Sequence, residues 1–198
     1  MCDRLHAQQP TGKRKLYSLH EPDVMCISKG KARQRYEFGQ KVSVTTSSKG
    51  NWIVVVDLCK ENPYDGHTLA QAIATAKRTT GVSVTDAYVD KGYRGHDYQG
   101  AATIHISGTS PRQLTRTQKQ HRRRRSAVEP KIGHLKSDHR LGRCFLKGLV
   151  GDAINLVLAA AGSNLRKLLD AIASALSACL RSRLPTARRS PWTHVLTA

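Results

Sequence analysis

Two runs rich in β-branched and aromatic residues, YEFGQKVSVTT (36–46) and NWIVVVDLCKE (51–61), stand on either side of the four residues SSKG. Such side chains suit the pleated, half-buried surface of a sheet, and so short a polar joint between two such runs predicts an antiparallel hairpin. A hairpin needs a partner element to cover its apolar face, and the next segment supplies one. DGHTLAQAIATAKRTTG (65–81) repeats apolar residues at helical spacing (Leu69, Ile73, Ala76), opens on Asp65 as a candidate N-cap and stops at Gly81. Two short strands come next: SVTDAYVD (83–90), ending in Asp90, and TIHIS (103–107). The order strand, strand, helix, strand, strand, then a basic helical segment, predicts an α/β fold.

The flanks are less ordered in pattern. Residues 1–35 are polar and basic, with Pro10 and Pro22, and read as a linker with little regular structure. A long final helix is expected over about 152–180. Ile154, Val157, Leu158, Ala161, Leu165, Leu168, Leu169, Ile172 and Leu176 repeat at i, i+3, i+4, i+7 and form its expected buried face. Asn155, Asn164, Arg166, Lys167 and Asp170 interrupt it, which favours a core helix over a membrane span. Residues 181–198 form a basic, proline-bearing tail expected to lack structure.

Charge narrows the partner. The chain carries 33 Lys and Arg against 14 Asp and Glu, a formal net charge of +19. Such an excess points to a polyanion, because phosphate contacts release counterions and give affinity without sequence preference. Twelve of these cations lie between Arg112 and Lys147, with Glu129 and Asp138 as the two acids among them. A cationic membrane-surface helix is the competing reading, but the best helix has few charges. The N-terminus shows no signal-peptide core. Cys2, Cys26, Cys59, Cys144 and Cys179 are odd in number and include no Cys-x-x-Cys pair, which favours reduced thiols over a disulfide framework or a zinc site.

Within RRRRSAVEPKIGHLK (122–136) the single acid, Glu129, has two readings. Ser126-x-x-Glu129 fits a capping box, and Pro130 is tolerated in a first helical turn. Alternatively, in a helix turning about 100° per residue, Arg125, Glu129 and Lys136 fall within about 40° of one another. A carboxylate flanked by two cations suits a hard divalent ion shared with substrate phosphates. One carboxylate holds such an ion poorly. Asp90, at a strand end with residues 91–128 intervening, is the candidate second. Asp57 is more readily a turn or cap residue than a ligand. His134 and His139, five apart, miss the i, i+4 spacing of helical metal ligands and are assigned no metal.

VDKGYRG (89–95), with its Asp-x-Gly-Tyr, and Arg125-xxx-Glu129-xxxxxx-Lys136 resemble two signatures of the DDE transposases of bacterial insertion sequences, specifically the C-terminal portion of the insertion-sequence family five-like group. KLYSLHEPDV (15–24), KGKARQRYEFGQKVS (29–43), NPYDGHTL (62–69), EPKIGHLKSDHRLGR (129–143) and GDAINLVLAAAGSNLR (151–166) are similar to stretches of the same family, so the likeness runs from about Lys15 to Leu169. The resemblance implies an RNase H-like mixed sheet with flanking helices, occupying 36–180. It implies that Asp90 and Glu129 are catalytic metal ligands that share two Mg²⁺ or Mn²⁺ ions with a further aspartate. Such a metal pair serves phosphodiester cleavage and strand transfer. It further implies double-stranded DNA (element ends and target) as partner. Arg122, Arg123, Arg124, Arg125, Lys136, Tyr93 and Arg94 would be its phosphate-binding residues. No membrane, a homo-oligomer, and a cytoplasmic, nucleoid-associated location complete the expectation.

Three departures qualify it. Arg122 stands where the signature has tyrosine. The tail after about Leu180 has no counterpart. The family's first aspartate, on the first and central strand, lies upstream of anything present, so the chain is expected not to transpose DNA alone. Two alternatives carry their own expectations: a non-catalytic basic nucleic-acid-binding protein, for which charge suffices, and an RNase H-like nuclease without strand transfer.

Overall fold

The computed structural model describes residues 2–9, 11–12, 15–28, 35–59, 61–108 and 115–183. In chain order these form α1 (Cys2–His6), β1 (Met25–Ser28), β2 (Tyr36–Gly39), β3 (Lys41–Thr46), β4 (Ile53–Cys59), α2 (Asp65–Thr80), β5 (Asp86–Val89), a 3₁₀ turn (Lys91–Tyr93), β6 (Thr103–Ile106), α3 (Arg116–Arg125), α4 (Val128–Ser137) and α5 (Gly148–Arg183). The chain divides into two compact units, one running to Asn164 and one beginning at Leu165. Arg112, the segment 29–34 and the tail from 184 lie outside the described residues.

The hairpin forms as its sequence requires. β3 and β4 pair antiparallel from Lys41 opposite Cys59 to Thr46 opposite Ile53. Their turn closes by Ser47 N–H donating to the Trp52 carbonyl at 2.8 Å, with Gly50 and Asn51 at φ 87° and 53°. Glycine and asparagine accept those angles at least cost, which is why SSKGN can turn so tightly. The first run, however, is two strands. Gly39 at φ 153° breaks it. β2 then pairs with β1 (Cys26 opposite Phe38) while β3 pairs with β4. The N-terminal stretch is thus not wholly irregular, since it holds α1 and β1.

The expected single sheet is not present among the described residues. The described strands make three two-stranded sheets: β1–β2 and β3–β4 antiparallel, β5–β6 parallel. Strands join a sheet only when their backbones lie about 4.8 Å apart. β3 and β5 instead border a cleft, and none of the described strands lies between them.

α2 buries Leu69, Ala72 and Ala76 and ends where expected. Gly81, at φ 70°, donates its N–H to the Lys77 carbonyl at 2.9 Å. Its N-cap is Tyr64 and not Asp65. Asp65 is the first helical residue, and its carboxylate pairs with Lys41 Nζ at 2.5 Å.

α5 corrects a second expectation. The periodicity is real, but the buried stripe is Leu156, Ala159, Ala160 and Ser163, while Ile154, Val157, Leu158 and Leu165 are exposed. Two apolar stripes share one helical period, and the one with small side chains wins because it lets the backbone approach β4. Ala159 and Ala160 pack with Ile53 and the fully buried Leu135, flanked by Val44, Val56 and Leu141. Asn164 seals the contact: its Nδ2 donates to the Ile53 carbonyl at 2.8 Å, and Ile53 N–H donates to its Oδ1 at 3.1 Å. Beyond Asn164, Leu168, Leu169, Ile172 and Leu176 are exposed. The helix is long and apolar enough to cross a membrane by composition alone, and it runs three residues past its expected end.

Candidate functional site

β5 carries the chain to Asp90, whose side chain first has a local task. Its Oδ1 accepts from Gly92 N–H at 2.7 Å and so caps the 3₁₀ turn. A Cβ at position 92 would meet Asp65 Oδ2, so the Asp65 side chain would have to swing aside, and would stand 3.6 Å from Asp90 Oδ1.

α3 brings the second half. A capping box starts it, but at Thr115 and Gln118, which exchange hydrogen bonds at 3.2 and 3.0 Å. The capping box read at Ser126 and Glu129 does not form. Ser126 is the C-cap of α3, and α4 begins after Ala127 with no side-chain cap. Glu129 is therefore spared from capping. The basic segment is two helices rather than one, yet Ser126 and Ala127 keep right-handed helical angles, so the i, i+4 relation of Arg125 to Glu129 survives.

Arg125 is the centre of the arrangement. Its Nη2 lies 3.2 Å from Asp90 Oδ2 and its Nη1 lies 3.3 Å from Glu129 Oε1. One guanidinium bridges the two carboxylates named from the sequence, across residues 91–128. Arg125 is mostly enclosed, at 20% side-chain exposure, whereas Asp90 and Glu129 are open to solvent at 55% and 75%. Lys136, expected on the same face, is exposed on α4 beside buried Leu135. The four arginines do not act as one patch, because consecutive helical residues diverge by about 100°. Arg123 points outward, Arg122 is half-buried, and Arg124 and Arg125 line the cleft between β3 and β5. Tyr93 is half-buried on the same cleft. Arg94 is exposed, and its carbonyl accepts from the Tyr64 hydroxyl.

A second cluster escaped the sequence reading. Tyr88 is sandwiched between two histidines, with ring centroids 4.4 Å from His105 and 5.5 Å from His121, both pairs inclined 10°. Asp86 Oδ1 meets His105 Nε2 at 2.8 Å, and Ser48 bonds His121 Nδ1. The stack fastens α3 to β5 and so sets where Arg125 stands. The His105 hydrogen bond holds the Asp86 carboxyl below its usual range, and burial pushes the Tyr88 phenol up. Strand alternation could have placed Tyr88 beside His105, since they are register partners. Nothing local could have placed His121 there.

For a metal, the site offers two carboxylates with a cation already between them. Among the described residues no group of three or more His, Cys, Asp or Glu converges as a ligand set. Asp57 sits on β4 opposite Ser43, beyond β3 from the cleft, and does not supply the third. His134 Nδ1 pairs with Asp138 Oδ2 at 2.9 Å. The donors present do not complete a site for a pair of divalent ions.

Residues 76–169 match the family model of the transposase DDE domain, a span that runs from α2 into α5 and encloses Asp90, Arg125 and Glu129. No curated protein and no solved structure matches the chain.

Proposed function

We propose that this chain is the C-terminal part of the catalytic domain of an insertion-sequence DDE transposase, of the family five-like group and RNase H-like in plan. Its task is phosphodiester cleavage and strand transfer on double-stranded DNA. The observation that carries this reading is the convergence of Asp90 and Glu129 on Arg125, inside the span that matches the transposase DDE domain. A protein that only binds DNA has no use for two carboxylates meeting in its basic segment, where they repel phosphate. Asp90 and Glu129 are the proposed catalytic pair, with Mg²⁺ or Mn²⁺ as the divalent cofactor. Arg122, Arg123, Arg124, Arg125, Lys136, Tyr93 and Arg94 contact the DNA, and the chain works as a homo-oligomer at the nucleoid.

Two carboxylates alone leave the donor set short, so the 198-residue chain binds DNA without cutting it. That second reading, a binder in isolation, is favoured by the same guanidinium, which pairs with both acids. The test is cleavage of DNA bearing the element's ends in Mg²⁺ or Mn²⁺, comparing this chain with one extended upstream. The extended chain should cut and join, and Asp90→Asn or Glu129→Gln should each abolish both reactions. Cutting that survives both substitutions would remove the basis of the proposal. Cutting without joined products would identify a nuclease instead.

A further inference from the structure

The turn between β3 and β4 does more than close a hairpin. Closure itself falls to Ser47. Its Oγ donates to the Lys49 carbonyl at 3.0 Å and accepts from Trp52 N–H at 3.1 Å, and its carbonyl accepts from Asn51 N–H at 3.1 Å. The other two polar side chains of SSKGN reach a different element. Ser48 Oγ shares a hydrogen bond with His121 Nδ1 of α3. Asn51 Nδ2 donates to the Ala127 carbonyl, at the junction of α3 and α4, at 3.1 Å. These contacts tie the turn to residues 73 and 76 positions further along the chain.

Two anchors fix how the turn lies. At a rise of 1.5 Å per residue, His121 and Ala127 stand about 9 Å apart along the helical path. Ser48 and Asn51 grip those two points, so the turn runs lengthwise beside the stretch that holds Arg122, Arg123, Arg124 and Arg125. Ser48, His121 and Arg124 also line one cleft together. Lys49 stands between the two anchors and is exposed. Among the described residues its ammonium has no ion-pair partner, whereas Arg125 is held by Asp90 and Glu129 and Lys41 by Asp65. The fold thus sets a free cation beside Arg122, Arg123 and Arg124. Like charges so placed repel one another, and a polyanion lying across both elements relieves that repulsion.

We propose that the β3–β4 turn is a second arm of the DNA interface. Lys49 takes a backbone phosphate of the duplex that lies on α3, and Ser48 and Asn51 are positioning residues that hold Lys49 there. A lysine acts on phosphate as a point charge, so it adds affinity and fixes register without reading a base. Asn51 suits its post because asparagine accepts the positive φ of 53° at the end of the turn while its amide stays available to Ala127. One lysine among serines and glycine carries no signal in the sequence; only the fold sets it beside the arginines. The inference rests on the reading that α3 binds duplex DNA and adds to it a contact from another element. It makes no use of the chemistry at Asp90 and Glu129.

The experiment is fluorescence anisotropy of a labelled mixed-sequence duplex with the full 198-residue chain, repeated over a range of salt concentrations. Lys49→Ala should weaken binding and flatten the plot of log affinity against log salt by about 0.9, the worth of one phosphate contact. Lys49→Arg should restore both. Asn51→Gly keeps the positive φ but removes the anchor, and should flatten the slope in the same way. Lys49→Ala made on top of Asn51→Gly should then add little, because independent effects would add in full. If Lys49→Ala leaves the slope unchanged while alanine at Arg122, Arg123 and Arg124 flattens it, the turn is no DNA contact and the reading of α3 stands. If Lys49→Ala flattens the slope but its effect adds fully to that of Asn51→Gly, the positioning role is overturned. A parent chain without affinity for the duplex would remove the DNA-binding reading and this inference with it.

Discussion

Asn164 offers the most direct test of how the first unit is held together. Its amide forms two hydrogen bonds to Ile53, accepting at 3.1 Å and donating at 2.8 Å, beside a core in which Ile53 is 7% exposed and Leu135 is 0% exposed. Asn164→Ala removes both partners at once. A buried main-chain group left unpaired costs about 1–3 kcal/mol. Two such groups, at a position that water can partly reach, put the loss at about 2–3 kcal/mol, or a fall of about 4–12 °C in Tm for a chain of this size. Urea and thermal unfolding followed by circular dichroism read it directly. Asn164→Leu is the control: it refills the volume with apolar atoms but leaves Ile53 unpaired, so it should remain as destabilised as alanine. A loss below about 0.5 kcal/mol for Asn164→Ala, the low end for a single hydrogen bond, or recovery with leucine, would refute the hydrogen-bond account.

Three further outcomes are expected. Replacing Arg122, Arg123 and Arg124 by alanine, with Arg125 kept, should weaken binding to duplex DNA and flatten the plot of log affinity against log salt by about 0.9 per lost phosphate contact; an unchanged slope would show that these arginines face elsewhere. The Asp86 carboxyl is depressed chiefly by His105, so its stabilisation is present above the ordinary aspartate pKa of about 3.9 and is lost as pH falls through the lower folded value. Asp86→Asn should therefore lower the urea midpoint at neutral pH, with the gap to the parent closing in acid, and a gap independent of pH would count against the His105 contact. Finally, iodoacetamide should modify exposed Cys2 and Cys179 first and Cys59 last, since burial both hides the Cys59 thiol and raises its pKa; equal rates in the folded chain would contradict the burial.

What the sequence disclosed was local or carried its own stop signal. The β3–β4 hairpin needed only Val- and Ile-rich runs and a polar joint, and α2 needed only its apolar spacing and Gly81. Asp90 and Glu129 were legible as a pair, one at a strand end and one among arginines. The misreadings share a cause, namely a choice that only tertiary contact decides. α5 has two candidate faces of one period, and Asn164, which looked like an interruption, proves to hydrogen-bond Ile53 from the face that is buried. The β1–β2 pairing depends on two segments meeting across 29–34. The single sheet was implied by the family resemblance together with strand order, but order says nothing about whether neighbouring edges come within bonding distance. His121 joins Tyr88 from a different element, and no spacing within α3 announces it.

The bridging guanidinium also sets a relation between DNA and cations. Asp90 and Glu129 contribute −2 and Arg125 contributes +1, so the trio carries a formal −1 while the bridge holds. Both acids are more than half exposed, and such ion pairs are worth little individually, so the bridge opens at small cost. A DNA phosphate that draws Arg125 away leaves two carboxylates with no counter-charge between them, which is what a hard divalent ion seeks. DNA and a divalent cation should therefore bind with positive coupling, and coupling of this kind must be reciprocal. Mn²⁺ titrated by electron paramagnetic resonance should bind the chain more tightly when a short duplex is present, by about five-fold or more. Arg125→Ala should bind Mn²⁺ as tightly without DNA as the parent does with it, and should lose the coupling. Asp90→Asn should lower the affinity in both states. If Mn²⁺ affinity in the parent is indifferent to DNA, or if Arg125→Ala keeps the coupling, Arg125 is only a structural tie between α3 and the end of β5.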